Sequence, residues 1–421
     1  MSGRGLPTAR VLSIGDELVR GVVVDANGPR IARELEKAGC RNLGVSVVGD
    51  EVSEGTEALS RAIAAADVVV VTGGLGPTLD DRTRSMVSAA CGVEMRLDED
   101  VAARIRAWLA ARDVPERPGH LDQALVPVGA TVFGNPAGTA PGFALDHEGT
   151  RLYVLPGVPV EMEAIWREGV GPDLVETTER LGGRAPAARS LRVFGVPEST
   201  LSDAIRSLDV AREVRVGITA DRGIVTLHLA GEPGEEGRAR VAGVERAVLA
   251  AFGDSVFGTG ADDLARVVVR LLADRGETLA TAESCTGGLL ASMLTDVAGV
   301  SSVFLEGAVT YSNEAKIRTL GVRVADLERH GAVSEVVAGS MADGIVARAG
   351  TDAGIGITGV AGPGGGTPEK PVGLVYVGVR HGGRTTVDRL RWSGTRAQVR
   401  IRSALHGLDR LRRMILAGSE F

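Results

Sequence analysis

Short apolar runs recur along the chain with amphipathic stretches between them, and this alternation predicts an α/β protein with largely parallel sheets. Residues 10–14 and 43–48 read as strands, with a helix from about 28 to 38 between them and a second helix starting near Ser53. Positions 68–71 are four consecutive valines, the kind of uninterrupted apolar strand that is covered on both faces. Residues 153–155 add a strand, and a helix through Ile165 closes this first block. Between Pro172 and Pro186 the pattern lapses into Gly, Thr, Arg and Pro, which predicts a linker. A second block reads as strand 191–196, helix 198–208, strands 214–220 and 224–230, and helix 235–252. Its two middle strands meet at Asp221-Arg222-Gly223, a hairpin turn with glycine where positive φ is useful. After Gly258-Thr259-Gly260 a third block holds helix 262–275 and strand 278–282 and continues through the segment 307–311. A helix capped by Ser334, strands 353–357, 374–379 and 385–390, and a last helix ending near Ile415 complete it. The expectation is two three-layer α/β domains with mostly parallel sheets, residues 1–175 and 257–421, joined by a small α+β module, residues 176–256.

Composition narrows the class. A chain of 421 residues exceeds one ordinary core, and 44% hydrophobic with 24% charged residues is folded, globular material. No apolar run approaches the ~20 residues that span a bilayer. The polar first ten residues lack a signal core, so a cytoplasmic protein without membrane association is expected. Cys40, Cys91 and Cys285 are odd in number and far apart, which argues against a disulfide framework. Histidines at zinc-ligand spacing and C-x-x-C pairs are both missing, which excludes a structural zinc of the usual kind. The net charge of −7 argues against a general nucleic-acid surface. Lysine occurs only at Lys37, Lys316 and Lys370. Arginine keeps its proton at workable pH whereas a buried lysine can lose it, so a lysine here draws attention.

Thr72-Gly73-Gly74-Leu75-Gly76-Pro77-Thr78-Leu79-Asp80-Asp81 follows the valine strand and precedes a helix, the position where open α/β sheets hold ligands. Gly73, Gly74 and Gly76 let backbone approach a substrate, and the N–H groups of the next helix attract anions. Asp80 and Asp81 are candidate ligands for a divalent cation on phosphate oxygens; the same acids also suit a helix start with no metal. Gly15-Asp16-Glu17-Leu18 brings Asp16 to the same edge if the strands are parallel. The loops 135–142, with Asn135, and 155–159, followed by Glu161, add two walls to one pocket.

Thr281-Ala282-Glu283-Ser284-Cys285-Thr286-Gly287-Gly288 carries the strongest chemistry. A serine needs a base to become a nucleophile, and Lys316 is the nearest one, since no histidine lies in either motif; serine–lysine pairs are a variant of the triad logic. The N–H groups of Gly287 and Gly288 are candidates for an oxyanion hole, with Thr286 beside them. Spacing alone leaves Ser284 equally open to capping a helix and Lys316 to lying in solvent. The loop 359–366, including Gly362, suits a phosphate or ribose, and Arg396 near the start of the last helix suits an anion.

Together these segments resemble the competence/damage-inducible CinA-like family over essentially the whole chain. The glycine and proline loops of the first block look like its N-terminal domain, which is similar to molybdopterin-binding proteins and is linked to hydrolysis of ADP-ribose-type pyrophosphates with a divalent metal. The middle block looks like its small KH-like insert. Residues 282–288, 309–316, 357–363 and 370–373 look like its nicotinamide-nucleotide amidase domain. One departure is visible: Gly134 stands where the family often has proline. The resemblance implies that Ser284, Ser301, Tyr311, Lys316, Thr358 and Arg396 belong to a site that converts nicotinamide mononucleotide and water to nicotinate mononucleotide and ammonia. It implies a divalent cation for the N-terminal domain and none for the amidase, small nucleotide substrates, and a homodimer by analogy. The alternative is an N-terminal domain that binds a pterin or nucleotide without turnover.

Overall fold

In the computed structural model, strand Thr8–Ile14 lies between Arg41–Val48 and Val68–Thr72 with both pairings parallel, and Val68–Thr72 pairs in parallel with Thr150–Leu155. Gly142–His147 and Thr131–Phe133 extend this sheet antiparallel to six strands. The valine strand is buried on both faces. Val68 and Val70 share a core with Ile31 and Leu35 of helix Asn27–Lys37, while Val69 and Val71 share one with Leu59 and Ile63 of helix Val52–Ala65. Each such side chain contributes about 1.5–3 kcal/mol, so the strand stabilises the layers on both of its faces. Parallel pairing also brings Ile14, Thr72 and Leu155 to one edge, and the loops that follow them arrive there together.

The structure describes residues 6–208 and 213–418 and divides into two units, Met1–Ala187 and Ala188–Phe421. Among the described residues, no helix is long and apolar enough to cross a membrane. The linker expected at 172–186 is in large part a helix, Gly171–Arg180. Pro172 sits in its first turn, where a missing N–H is harmless. Asp173 accepts from Tyr153 Oη at 2.6 Å and from Arg151 at 3.0 Å, a distant anchor that local periodicity does not reveal.

In the second unit five strands run in the order Phe304–Val309, Leu279–Glu283, Ala353–Gly359, Leu374–His381, Arg384–Arg391. The first three are parallel and the last two antiparallel, so the parallel character expected for the sheet holds on one side of it. Helices Leu264–Ala273 and Arg396–Ala417 cover one face, and Asn313–Leu320 and Glu335–Ala349 the other. The small module has its own four-stranded sheet with the predicted hairpin, Arg222 and Gly223 both taking positive φ. Phe194, Ile224 and Phe257 of this module share one core with Leu264 and Leu408.

Candidate functional site

Ser284 and Lys316, 32 residues apart, meet at the carboxyl edge of the second unit's sheet. Ser284 follows strand Leu279–Glu283 and its N–H donates to Ile357 O of the adjacent strand at 2.9 Å. Lys316 is on helix Asn313–Leu320, whose N-cap Ser312 accepts from the Ala315 N–H. Its Nζ stands 3.1 Å from Ser284 Oγ and donates to the carbonyls of Thr310 and Tyr311 at 2.8 and 3.2 Å. Lys316 is only 1% exposed and Ser284 8%. Burial lowers the lysine pKa, against a smaller opposing pull from Cys285 and Glu314. Three oxygens surround Nζ, enough for the three hydrogens of an ammonium; once one proton is lost, two hydrogens still satisfy the two carbonyls and the lone pair faces the serine hydroxyl.

The backbone of the serine turn is used differently from expectation. Gly287 N–H donates to Ser284 O, and Gly288 N–H donates to the Glu283 carboxylate at 3.1 Å. Neither glycine is free to act as an oxyanion donor. Glu283 also accepts from Leu290 and Ala291 N–H, at 3.1 and 2.9 Å, so the first turn of helix Leu289–Thr295 is satisfied from within. Thr286 is wholly buried and presents its carbonyl to Arg400, at 3.1 Å from Nε and 2.6 Å from the guanidinium NH2. Glu283 and Arg400 were not singled out from the sequence. An acid beside a helix start and an arginine four residues after Arg396 were the signals available.

Arg396 donates to Gly362 O at 2.8 Å and to Tyr311 Oη at 3.3 Å. The Tyr311 ring is exposed, and what it offers Lys316 is its carbonyl rather than its hydroxyl. Thr358 lies on the strand next to Ser284 and donates to Ala332 O at 2.8 Å. Ser301 is a correction. It precedes strand Phe304–Val309, whose start pairs with Leu279, so it sits at the amino edge of the sheet while Ser284 sits at the carboxyl edge. One chain does not bring these two serines together.

Cys285, next to the candidate nucleophile, is 5% exposed, and burial pushes its thiol up to about 11. It stays protonated at neutral pH and is a poor nucleophile there. Cys285→Ala should therefore keep most of any Ser284-dependent activity; a dead Cys285→Ala protein beside an active Ser284→Ala protein would reassign the chemistry to sulfur.

In the first unit a cleft of about 610 Å³ is lined by Asp16, Glu17, Arg20, Asp50, Asp80 and Arg82, among others. Asp16 and Asp50 exchange N–H-to-carboxylate bonds of 2.9 and 3.2 Å. Burial, then the neighbouring Asp16, Glu17 and Asp80, raises the Asp50 pKa, whereas the Thr78 hydroxyl lowers that of Asp80. Asp81 turns back on its own loop and accepts from Thr78 N–H and hydroxyl at 2.8 and 2.6 Å. Among the described residues no three His, Cys, Asp or Glu side chains converge as a metal site, so Asp16, Asp80 and Asp81 do not form the expected ligand set. Gly73 and Gly74 take φ of 108° and 63°, and a side chain there would strike the Ile14 carbonyl or the Thr83 hydroxyl. The chain's own packing explains both. Gly76 lies against the Asp81 carboxylate. Asn135 donates to Ala140 O and Glu161 at 2.9 and 2.6 Å and accepts from Ala137 N–H, which pins its loop and leaves the side chain little to give a ligand.

Comparison with known proteins divides the sequence in three. Residues 261–415 match the CinA C-terminal domain, 10–176 a probable molybdopterin binding domain, and 188–258 the damage-inducible protein CinA KH domain. A CinA-like protein of Kosmotoga olearia is 38% identical over 97% of this chain and 99% of its own length. A putative competence-damage inducible protein of Moorella thermoacetica is 42% identical over 98% of this chain and 100% of its own. The crystal structure of competence/damage inducible protein CihA from Agrobacterium tumefaciens is 39% identical, covers 37% of this chain and 94% of its own, and has a TM-score of 0.35. By its full-length similarity to these relatives, the chain belongs to the CinA family of competence/damage-inducible proteins.

Proposed function

We propose that the C-terminal domain is an amidase that hydrolyses the carboxamide of nicotinamide mononucleotide. The observation that carries this reading is the buried Lys316 amine, 3.1 Å from Ser284 Oγ and held by two carbonyls. In the forward step Lys316 takes the hydroxyl proton as Ser284 Oγ attacks the carboxamide carbon. The resulting ammonium then protonates the departing nitrogen, ammonia leaves, and an ester to Ser284 remains. Water attacks that ester with Lys316 again accepting a proton, which frees the carboxylate product and restores the serine. Arg396, in the first turn of the 22-residue last helix, puts positive charge near the pair, where a nucleotide phosphate is favoured. Incubating the full chain with nicotinamide mononucleotide and measuring ammonia tests the reading. Binding with no ammonia released would leave a nucleotide-binding protein in its place.

The N-terminal cleft fits a nucleotide pyrophosphate as a second reading, because it collects charged side chains at the carboxyl edge of a parallel sheet. Among its lining residues Asp16, Glu17, Asp50, Glu51 and Asp80 outnumber Arg20 and Arg82, so bare pyrophosphate is repelled. With no metal site preformed among the described residues, the divalent ion would arrive on the pyrophosphate, so ADP-ribose cleavage should vanish in EDTA and return with an added divalent ion, and undiminished cleavage in EDTA would sink this reading. A homodimer belongs to the same proposal: if Ser301 acts at all, it reaches a Ser284 only from a second copy.

A further inference from the structure

We propose that Glu283 is the positioning residue that sets the Ser284–Lys316 distance, an inference that rests on the amidase reading. Its carboxylate is 1% exposed, and its hydrogen-bond donors among the described residues are three backbone N–H groups, those of Gly288, Leu290 and Ala291. These bonds clamp the turn that carries Ser284 to the helix that follows it. The same residue's main-chain carbonyl accepts from Thr310 N–H at 2.8 Å. Thr310 in turn offers its own carbonyl to Lys316 Nζ. One residue therefore grips the nucleophile's turn with its side chain and the base's cradle with its backbone.

The carboxylate also settles what the helix does. A helix N-terminus with free N–H groups would draw the substrate's anionic part to itself. With Glu283 filling that position, the turn is held rigid with no ligand bound, and the substrate's charge is left to groups such as Arg396. Reach matters more than charge in this arrangement. Aspartate keeps the charge but is one methylene shorter and cannot span to all three N–H groups, whereas glutamine keeps the reach and one carbonyl oxygen, enough for the Gly288 and Leu290 N–H groups that share Oε2, and sets its NH2 against the Ala291 N–H.

The test uses the full chain and two readouts: steady-state ammonia release from nicotinamide mononucleotide, and the rate at which a fluorophosphonate probe labels Ser284. Displacing a reacting atom by 1 Å costs about 10²-fold. Glu283→Asp should lower kcat and the labelling rate by about that factor with KM nearly unchanged, and Glu283→Gln should retain more activity than Glu283→Asp. Ala291→Pro removes one of the three N–H donors in a first turn that tolerates proline, and should give a milder loss of the same kind. It keeps the question answerable if a Glu283 variant does not fold, which circular dichroism reports. Wild-type rates in Glu283→Asp, a raised KM with kcat intact, or labelling unaffected by any folded variant would overturn the assignment. If the wild-type protein is labelled at Ser284 but releases no ammonia, the amidase reading fails while the labelling rates still judge Glu283.

Discussion

Ser284→Ala and Lys316→Ala should each lower kcat/KM for nicotinamide mononucleotide hydrolysis by roughly 10⁴-fold or more, as disabling one member of a nucleophile–base unit does. The two losses should not add in the double variant, because either change alone ends proton transfer from the hydroxyl. Lys316→Arg should be nearly as damaging, because a guanidinium stays protonated and cannot accept the hydroxyl proton. The pH profile carries the same signature. Only the neutral amine is a base, and burial holds the Lys316 pKa below that of an ordinary lysine. Activity should rise with pH through that lowered pKa and fall as acid converts the amine to ammonium. A profile flat from pH 6 to 10, or an active Lys316→Arg protein, would remove lysine from the chemistry.

Asp409→Ala should cost about 3–5 kcal/mol of stability, the usual consequence of stranding a buried charge. Arg412 and Asp409 are 3% and 7% exposed in their side chains. The carboxylate accepts from Arg412 at 2.8 and 3.0 Å and from Arg413 at 2.8 Å. Arg412 also donates to the Asp254 carbonyl, so the pair fastens the last helix to the end of the small module. In a unit of this size the loss corresponds to a midpoint roughly 6–20 °C lower. Removing both buried charges, as in Asp409→Leu with Arg412→Met, should restore much of it, because the one ion left without its partner, Arg413, is 33% exposed in its side chain and can be hydrated. Equal instability of single and double variants would mean that packing, and not charge, holds this joint.

The strands that build both sheets are legible in the chain because their signal is local. Four valines in a row cannot face solvent on either side, and the loops after Ile14, Thr72 and Leu155 share an edge once the pairing is parallel. The Ser284–Lys316 pairing was legible as chemistry, since a serine without histidine leaves lysine as the base, but its geometry depends on strand order across 32 residues. What failed depended on partners remote in sequence or on hydrogen bonds within a loop. Gly171–Arg180 is helical with Asp173 anchored to Arg151 and Tyr153. The Gly288 N–H is claimed by Glu283, and Asp81 is bound by a threonine three residues away. A motif names its residue types and is silent on which atoms are already taken. Ser301 shows the complementary limit: resemblance places it at the site, whereas the strand between it and Thr310 places it at the far edge of the sheet.

Lysine is so scarce in this chain that the candidate base doubles as a built-in label. Lys37 is exposed beside Glu34, and Lys370 is half-buried and reaches the His330 carbonyl, so acylating reagents in solution meet these two lysines first. Lys316 is the third lysine, shut away, with its pKa lowered by burial. Modification at positions 37 and 370 records contact with solvent. A mass shift at 316 records that the niche has opened wide enough to admit an electrophile, and in the same event the proposed amidase should lose its base.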